Sequence, residues 1–161
     1  MPLIEVIDAD LSLSAHQDAV LSLIDAYAQD PMGGGHPLAD EARGRLIAGL
    51  RDHPTTLIFL AYLGPRPVGV AVCFRGFSTF AAQPLINVHD LGVLPDCRGH
   101  GIGRHLLQAV ERKARALGCC KLTLEVLENN QRARKLYASF GFDQLVYQKD
   151  AGGALFLVKP L

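Results

Sequence analysis

The sequence has no net charge: 16 lysines and arginines balance 16 aspartates and glutamates over 161 residues. That balance argues against binding nucleic acid or a membrane surface through bulk charge. Long hydrophobic runs are also missing. The longest, Leu57–Leu63, falls far short of the roughly 20 residues a membrane helix needs. The N-terminal Met1-Pro2-Leu3-Ile4-Glu5 has no basic stretch and no apolar stretch of signal-peptide length, so no signal peptide is expected and a cytoplasmic location follows. The four cysteines (Cys73, Cys97, Cys119, Cys120) have no metal-ligand spacing, so no metal is expected and they read as small buried hydrophobes. No internal repeat or low-complexity linker divides the chain. With 49% apolar residues, it has the composition and length of one globular domain, residues 1–161.

What is present is punctuated regularly. Leu3–Ile7 reads as a strand. Ser14-Ala15-His16-Gln17 has the form of a capping box, followed by Ala19, Val20, Leu23, Ile24 and Tyr27 at helical spacing, and Pro31 ends the run. Gly33-Gly34-Gly35 reads as a loop and Leu38–Leu50 as a weaker helix. Thr55–Leu63 and Val68–Phe77 read as strands joined by the turn Gly64-Pro65-Arg66-Pro67. Leu85–Leu94 is a further strand ended by Pro95, with Gly92 marking a bulge. Ile102, Leu106, Leu107, Val110, Ala114 and Leu117 form one helical face closed by Gly118. A strand over Lys121–Leu127, a helix opened by Asn130 and closed by Gly141, and two short strands near Gln144–Gln148 and Ala154–Val158 complete the chain. The strand–helix–strand unit over 85–127 predicts parallel pairing and the hairpins antiparallel pairing. The expected fold is therefore α/β, a mixed sheet of six to seven strands with helices on both faces.

Between the strand at 85–94 and the helix that follows lies Arg98-Gly99-His100-Gly101-Ile102-Gly103-Arg104. Glycines let a backbone approach a ligand closely, and a helix that begins in glycine leaves its first N–H groups open to an anion. A Walker A loop requires Lys-Ser/Thr after its last glycine, but Arg104-His105 stands there. A dinucleotide fingerprint requires G-x-G-x-x-G, but the sixth position is Arg104 counted from Gly99 and Leu106 counted from Gly101. Arg98 to Gly103 fits a third pattern, R/Q-x-x-G-x-G/A. His89-Asp90-Leu91-Gly92-Val93 precedes it, and Asn130, Ala133, Leu136-Tyr137 and Gly141-Phe142 follow as N-x-x-A-x-x-L-Y…G-F. Over residues 85–142 the chain resembles the GNAT superfamily of N-acetyltransferases.

The resemblance implies a GNAT-like fold and transfer of an acetyl group from acetyl-CoA to a primary amine of a small molecule or peptide by direct attack. The donor would be held by Leu91, Gly92, Val93, Arg98, Gly99, His100, Gly101, Ile102, Gly103, Arg104, Asn130 and Tyr137. Backbone N–H groups from Gly99 to Arg104 suit a pyrophosphate; Arg132, Arg134 and Lys135 are further cations that could meet phosphates. Tyr137 is the candidate acid, because a phenol near pKa 10 can protonate a departing thiolate near 8.5. Backbone groups freed by a bulge at Gly92 would face the oxyanion. His89, Asp90 and Glu125 compete for the base, with transfer through water as a further route, and His89 is the favoured candidate. A histidine near 6.5 matches neutral-pH chemistry better than an aspartate near 3.9. Strand alternation, however, places Asn87, His89 and Leu91 on one face and Val88 and Asp90 on the other.

Residues 1–80 hold 9 acidic against 5 basic residues, and 81–161 hold 7 against 11. Asp25, Asp30, Asp40 and Glu41 in the first half suggest a cationic amine, with the Tyr27–His36 loop at the substrate entrance. The partners implied are acetyl-CoA and an amine acceptor, without nucleic acid or membrane, and family members often form homodimers. A non-catalytic CoA-binding regulatory module on the same fold, and an acyltransferase for longer chains, are the alternatives.

Overall fold

The computed structural model describes residues 3–161. Met1 and Pro2, at the head of the stretch read above for a signal peptide, lie outside the described residues. The chain divides into two compact units, Met1–Glu125 and Val126–Leu161.

The first unit is a five-stranded sheet. Its strands are β1 (Ile4–Asp8), β2 (Thr56–Leu63), β3 (Arg66–Ser78), β4 (Gln83–Val93) and β5 (Leu122–Leu124), in the spatial order β1-β2-β3-β4-β5. The first four pair antiparallel, and β4 pairs with β5 in parallel through Ile86–Leu122, Asn87–Thr123 and Val88–Leu124. The mixed sheet was legible in the sequence; its strand number is five rather than six or seven.

Helices α1 (Ser14–Gln29) and α2 (Asp40–Asp52) lie on one side of the sheet. There Val20, Leu23 and Ile24 of α1 and Leu50 of α2 pack with Ile58, Leu60, Val70 and Val72. Helix α3 (Ile102–Ala116) covers the other face, because strand side chains alternate. It buries Ile102, Leu106, Leu107, Val110 and Ala114, the apolar stripe that predicted it. Gly69 of β3 has no Cβ, and one placed there would stand 2.9 Å from Ile102 Cγ2 and 3.1 Å from Leu106 Cδ1. The first turn of α3 can therefore lie directly on the strand.

Two local expectations are corrected. The capping box is not formed: Leu13 is the N-cap of α1 and makes no side-chain cap bond. Ser14 is already helical, and Gln17 Nε2 instead donates to the Leu11 carbonyl at 2.8 Å. The bulge in β4 is not at Gly92. Val72 pairs with Asp90 and Cys73 with Val88, so the extra residue is His89. Gly92 is glycine for another reason: its missing Cβ would lie 3.1 Å from Tyr27 Cβ, where α1 crosses the strand. Among the cysteines, Cys73 and Cys97 are buried as expected, Cys119 is partly so, and Cys120 is exposed.

The second unit holds α4 (Gln131–Ser139). Asn130 caps it, its side-chain oxygen accepting the Ala133 N–H at 3.2 Å. Gly141 adopts φ 90° just beyond its end. Tyr137 is the buried residue of this helix, and its ring meets Phe142 edge-on at 5.8 Å. The two strands expected at 144–148 and 154–158 are not present. A turn over Lys149–Ala151 and Gly152 at φ 77° separates the segments, and a single backbone bond, Ala154 N–H to the Leu145 carbonyl at 3.1 Å, joins them. β-propensity describes how well a side chain fits a paired, half-buried surface. Leu155, Phe156, Leu157 and Val158 are all exposed, and an unsupported hairpin is marginal. Among the described residues no helix is long and apolar enough to cross a membrane.

Candidate functional site

The cradle forms where β4 ends. Leu94 N–H closes the ladder on the Val68 carbonyl at 2.9 Å, and a single turn, Pro95–Cys97, leads into the glycines. Gly99 and Gly101 both adopt φ 83°, a left-handed backbone that favours glycine. Gly101 is the N-cap of α3 and supplies no capping side chain. Among the described residues, the N–H groups of Gly99, Gly101, Ile102 and Gly103 donate to no other backbone group. A 15-residue helix thus presents uncapped donors at its positive end, beside two left-handed glycines. A Cβ on Gly99 would meet open space, and one on Gly101 would meet only the His105 ring at 3.8 Å. The residues present therefore fit a pyrophosphate. Ile102, placed among the donor residues by the sequence, points into the core at 1% exposure, which leaves its N–H as its contribution. His100 and His105 direct Nδ1 onto the carbonyls of Cys97 (3.3 Å) and Gly101 (2.9 Å). Arg98 does not point freely outward: its Nε donates to the Val93 carbonyl at 3.0 Å and its Nη2 to Asp30 at 2.5 Å.

Upstream, the bulge decides the chemistry. Pairing puts Asn87 on the face of Phe74 and Asp90 on the face of Val72, and β3 alternation makes those one face. The His89 ring lies edge-on to Phe74 at 5.4 Å, so it shares that face. The extra residue therefore brings His89 and Asp90 to the same side, the side of α1, contrary to simple alternation. Burial holds the Asp90 carboxyl above its usual range, partly offset by the His89 charge. Burial also raises Tyr27, and the Asp90 and Asp30 carboxylates raise it further. On the opposite face the Cys73 thiol is pushed up to about 12 by burial and by Asp90, so it stays protonated. Glu125 follows the last row of the parallel ladder, Val88–Leu124, and is exposed. Beyond that row β5 does not continue along β4, so among the described residues no strand pairs with the edge of Leu91–Val93 away from β3.

Thus the cradle, His89 and Asp90 lie along β4 and its exit, and Glu125 follows the end of the neighbouring β5. Asn130 and Tyr137 belong to α4 of the second unit. Gly69 was not singled out from the sequence, and Tyr27 was named only as the start of the loop at the substrate entrance. The signal for Gly69 was available, since a glycine inside a strand marks close backbone approach. The acidic surface expected of the first half is largely neutralised: Asp25 pairs with Arg43 at 3.0 Å, Glu41 with Arg45 at 3.2 Å, and Asp30 with Arg98.

Comparison with known proteins decides the family. The profile of the Acetyltransferase (GNAT) family matches residues 20–142. The chain belongs to the GNAT acetyltransferase family. GNAT relatives include a thialysine N-epsilon-acetyltransferase of Bos taurus, 37% identical over 51% of this chain and 48% of that protein. The N-alpha-acetyltransferase RimI of Mycobacterium tuberculosis is 33% identical over 70% of this chain and 65% of its own length. The chain therefore spans about half to two-thirds of these relatives. Among solved GNAT-like structures, a probable acetyltransferase superposes with a TM-score of 0.80 at 21% identity, covering 97% of this chain and 99% of that one. An aminoglycoside N-acetyltransferase in complex with CoA gives 0.75 at 18% identity, covering 100% and 97%.

Proposed function

We propose that the protein is an acetyl-CoA-dependent N-acetyltransferase working as one domain, and that its acceptor is a primary amine of a small molecule or peptide. The observation that carries this reading is the uncapped, left-handed glycine cradle directly after a strand whose one-residue bulge puts two titratable side chains on one face.

In this reading the N–H groups of Gly99 to Gly103 hold the pyrophosphate, and the open edge of Leu91–Val93 takes the amides of the pantetheine arm and the thioester oxygen. The amine nitrogen attacks the thioester carbonyl carbon, a C–N bond forms and the C–S bond breaks. Asp90, whose raised pKa brings it toward neutral-pH proton transfer, takes the amine proton. His89 stands beside it as the alternative acceptor of that proton, and Glu125 is the third candidate. The departing thiolate takes a proton from the Tyr137 hydroxyl; the family motif supports that role. The relatives make L-thialysine and a peptide with a free N-terminal α-amine reasonable first acceptors.

The test is release of CoA thiol from acetyl-CoA over a panel of primary amines, for wild type and Tyr137→Phe. Turnover that falls about 10²-fold or more in the variant, with CoA binding retained, is the expected result. Tight CoA binding with no turnover on any amine would instead assign a non-catalytic CoA-binding module. Propionyl- and succinyl-CoA in the same assay report acyl-chain preference.

A further inference from the structure

The segment after α1 folds around one side chain. Asp30 accepts the Met32 N–H on Oδ1 at 2.8 Å, and its own N–H donates to the Tyr27 carbonyl at 3.1 Å. Its backbone carbonyl accepts Gly33 N–H at 2.8 Å and Gly35 N–H at 3.2 Å. The N–H groups of Gly34 and His36 both end on the Ala28 carbonyl, at 3.0 and 3.2 Å. A Cβ on Gly33 would fall onto the Tyr27 carbonyl, so a glycine is required there. Residues 30–36 are thus a compact knot tied to the last turn of α1, the turn that sets Tyr27 against Gly92 and near Asp90.

The second carboxylate oxygen of Asp30 takes the Arg98 guanidinium at 2.5 Å, across 68 residues of chain. The two side chains are 12% and 25% exposed. Arg98 also grips the Val93 carbonyl, and its backbone N–H turns back to the Pro95 carbonyl at 3.4 Å. The guanidinium therefore joins three things: the knot, the end of β4, and the residue before Gly99. A charge-assisted bond of this kind is about twice as strong as a neutral one. Drawing Arg98 away to a phosphate would leave a largely buried carboxylate uncompensated, which is costly.

We propose that the Asp30–Arg98 pair is a latch. It holds the Tyr27–His36 segment in register with the donor-side strand, and Arg98 is a positioning residue for the acceptor side rather than a phosphate ligand. What the latch serves rests on the acetyltransferase reading of the site; the latch itself can be measured without it. Breaking it frees the knot and the Tyr27 turn but leaves the cradle N–H groups in place. Acceptor binding then suffers while donor binding does not.

The test uses the full chain carrying Asp30→Asn, Arg98→Gln or Arg98→Lys, with folding checked by circular dichroism. Amide hydrogen exchange reads Gly33 to His36, calorimetry reads CoA, and steady-state kinetics uses L-thialysine as the acceptor probe. Asp30→Asn and Arg98→Gln are expected to speed exchange at Gly33 and Gly35 at least tenfold while the Kd for CoA stays within twofold. The KM for thialysine rises at least tenfold and the KM for acetyl-CoA holds. Arg98→Lys keeps the charge but loses the fork, so it falls between. If Arg98→Gln does not fold, Asp30→Asn and Arg98→Lys carry the same test. Unchanged exchange in Asp30→Asn overturns the latch. So does a tenfold loss of CoA affinity in Arg98→Gln with exchange unchanged, which makes Arg98 a phosphate ligand. A wild type that binds no CoA sinks the acetyltransferase reading, and the exchange result then decides the latch alone.

Discussion

Replacing Gly69 by alanine tests the seat of the cradle helix. The added Cβ would stand 2.9 Å from Ile102 Cγ2 and 3.1 Å from Leu106 Cδ1, where ordinary contact begins at 3.4 Å. Neither neighbour gives easily. Ile102 is 1% exposed and β-branched, with one strongly preferred rotamer in a helix, and Leu106 is fully buried. The first turn of α3 must therefore lift by about half an ångström to regain contact distance. Overpacking of this kind costs about 1–3 kcal/mol. A strand backbone suits alanine, and the less flexible unfolded chain returns about 0.4–1 kcal/mol. The net loss is up to about 2.6 kcal/mol, and at about 2–4 °C per kcal/mol for a chain of this size the melting temperature falls by up to about 10 °C. Calorimetric titration with CoA should show weakening of about tenfold or more, since the helix that moves carries the donors. Gly76→Ala is the control: its Cβ meets the flexible end of Leu85 at 3.3 Å, and no loss is expected. A Gly69→Ala protein that melts at or above wild type and binds CoA equally would refute the seating of α3 on this strand.

Three other outcomes follow from the same geometry. Acetyl-CoA at about 100 times its Kd should stabilise the fold by about 2.7 kcal/mol; in Gly101→Asp that thermal shift should vanish, because a carboxylate occupies the pyrophosphate's place, and a retained shift moves the cradle elsewhere. The raised Asp90 carboxyl means the folded chain holds its proton more tightly than the unfolded chain. That contribution is complete below the usual 3.8 and is lost as pH rises through the folded value. Asp90→Asn should therefore melt above wild type at pH 7.5, with the gap closing toward pH 4, while acetyl transfer falls; a gap independent of pH contradicts the burial argument. Asn130→Ala removes the cap on Ala133 and should cost about 1 kcal/mol, read as faster hydrogen exchange at the start of α4.

The parts of this molecule governed by local chemistry were readable in the chain. The stripe from Ile102 to Ala114 announced α3, Gly99 and Gly101 announced the left-handed approach to it, and Asn130 announced the cap of α4. Features set by long-range partners were not. Gly92 resembles a bulge glycine in sequence, yet its reason is Tyr27, 65 positions earlier. The true bulge at His89 is defined by the pairing of Val72 and Cys73 and leaves no mark on β4 itself. Asp25 and Asp30 read as acids awaiting a cationic amine because their partners, Arg43 and Arg98, lie on other elements. The apolar run Ala154–Val158 has the composition of a strand but not the pairing that makes one.

The extra residue in β4 makes the site a matter of parity as well as identity. Deleting one residue between Val88 and Asp90 would preserve the glycine cradle, Asp90 and everything after them in the chain. The paired register of β3 would still specify which layer each position faces. Val88 and Asp90 would then pair in unbroken succession with Cys73 and Val72, so Asp90 would keep the face of α1 and Gly92 would still clear Tyr27. What is lost is the second titratable side chain: in a regular strand the neighbour of Asp90 faces the layer of α3, so the extra residue is what allows His89 and Asp90 to share one face. Motif matching that tolerates single-residue gaps in this strand would pass over that difference.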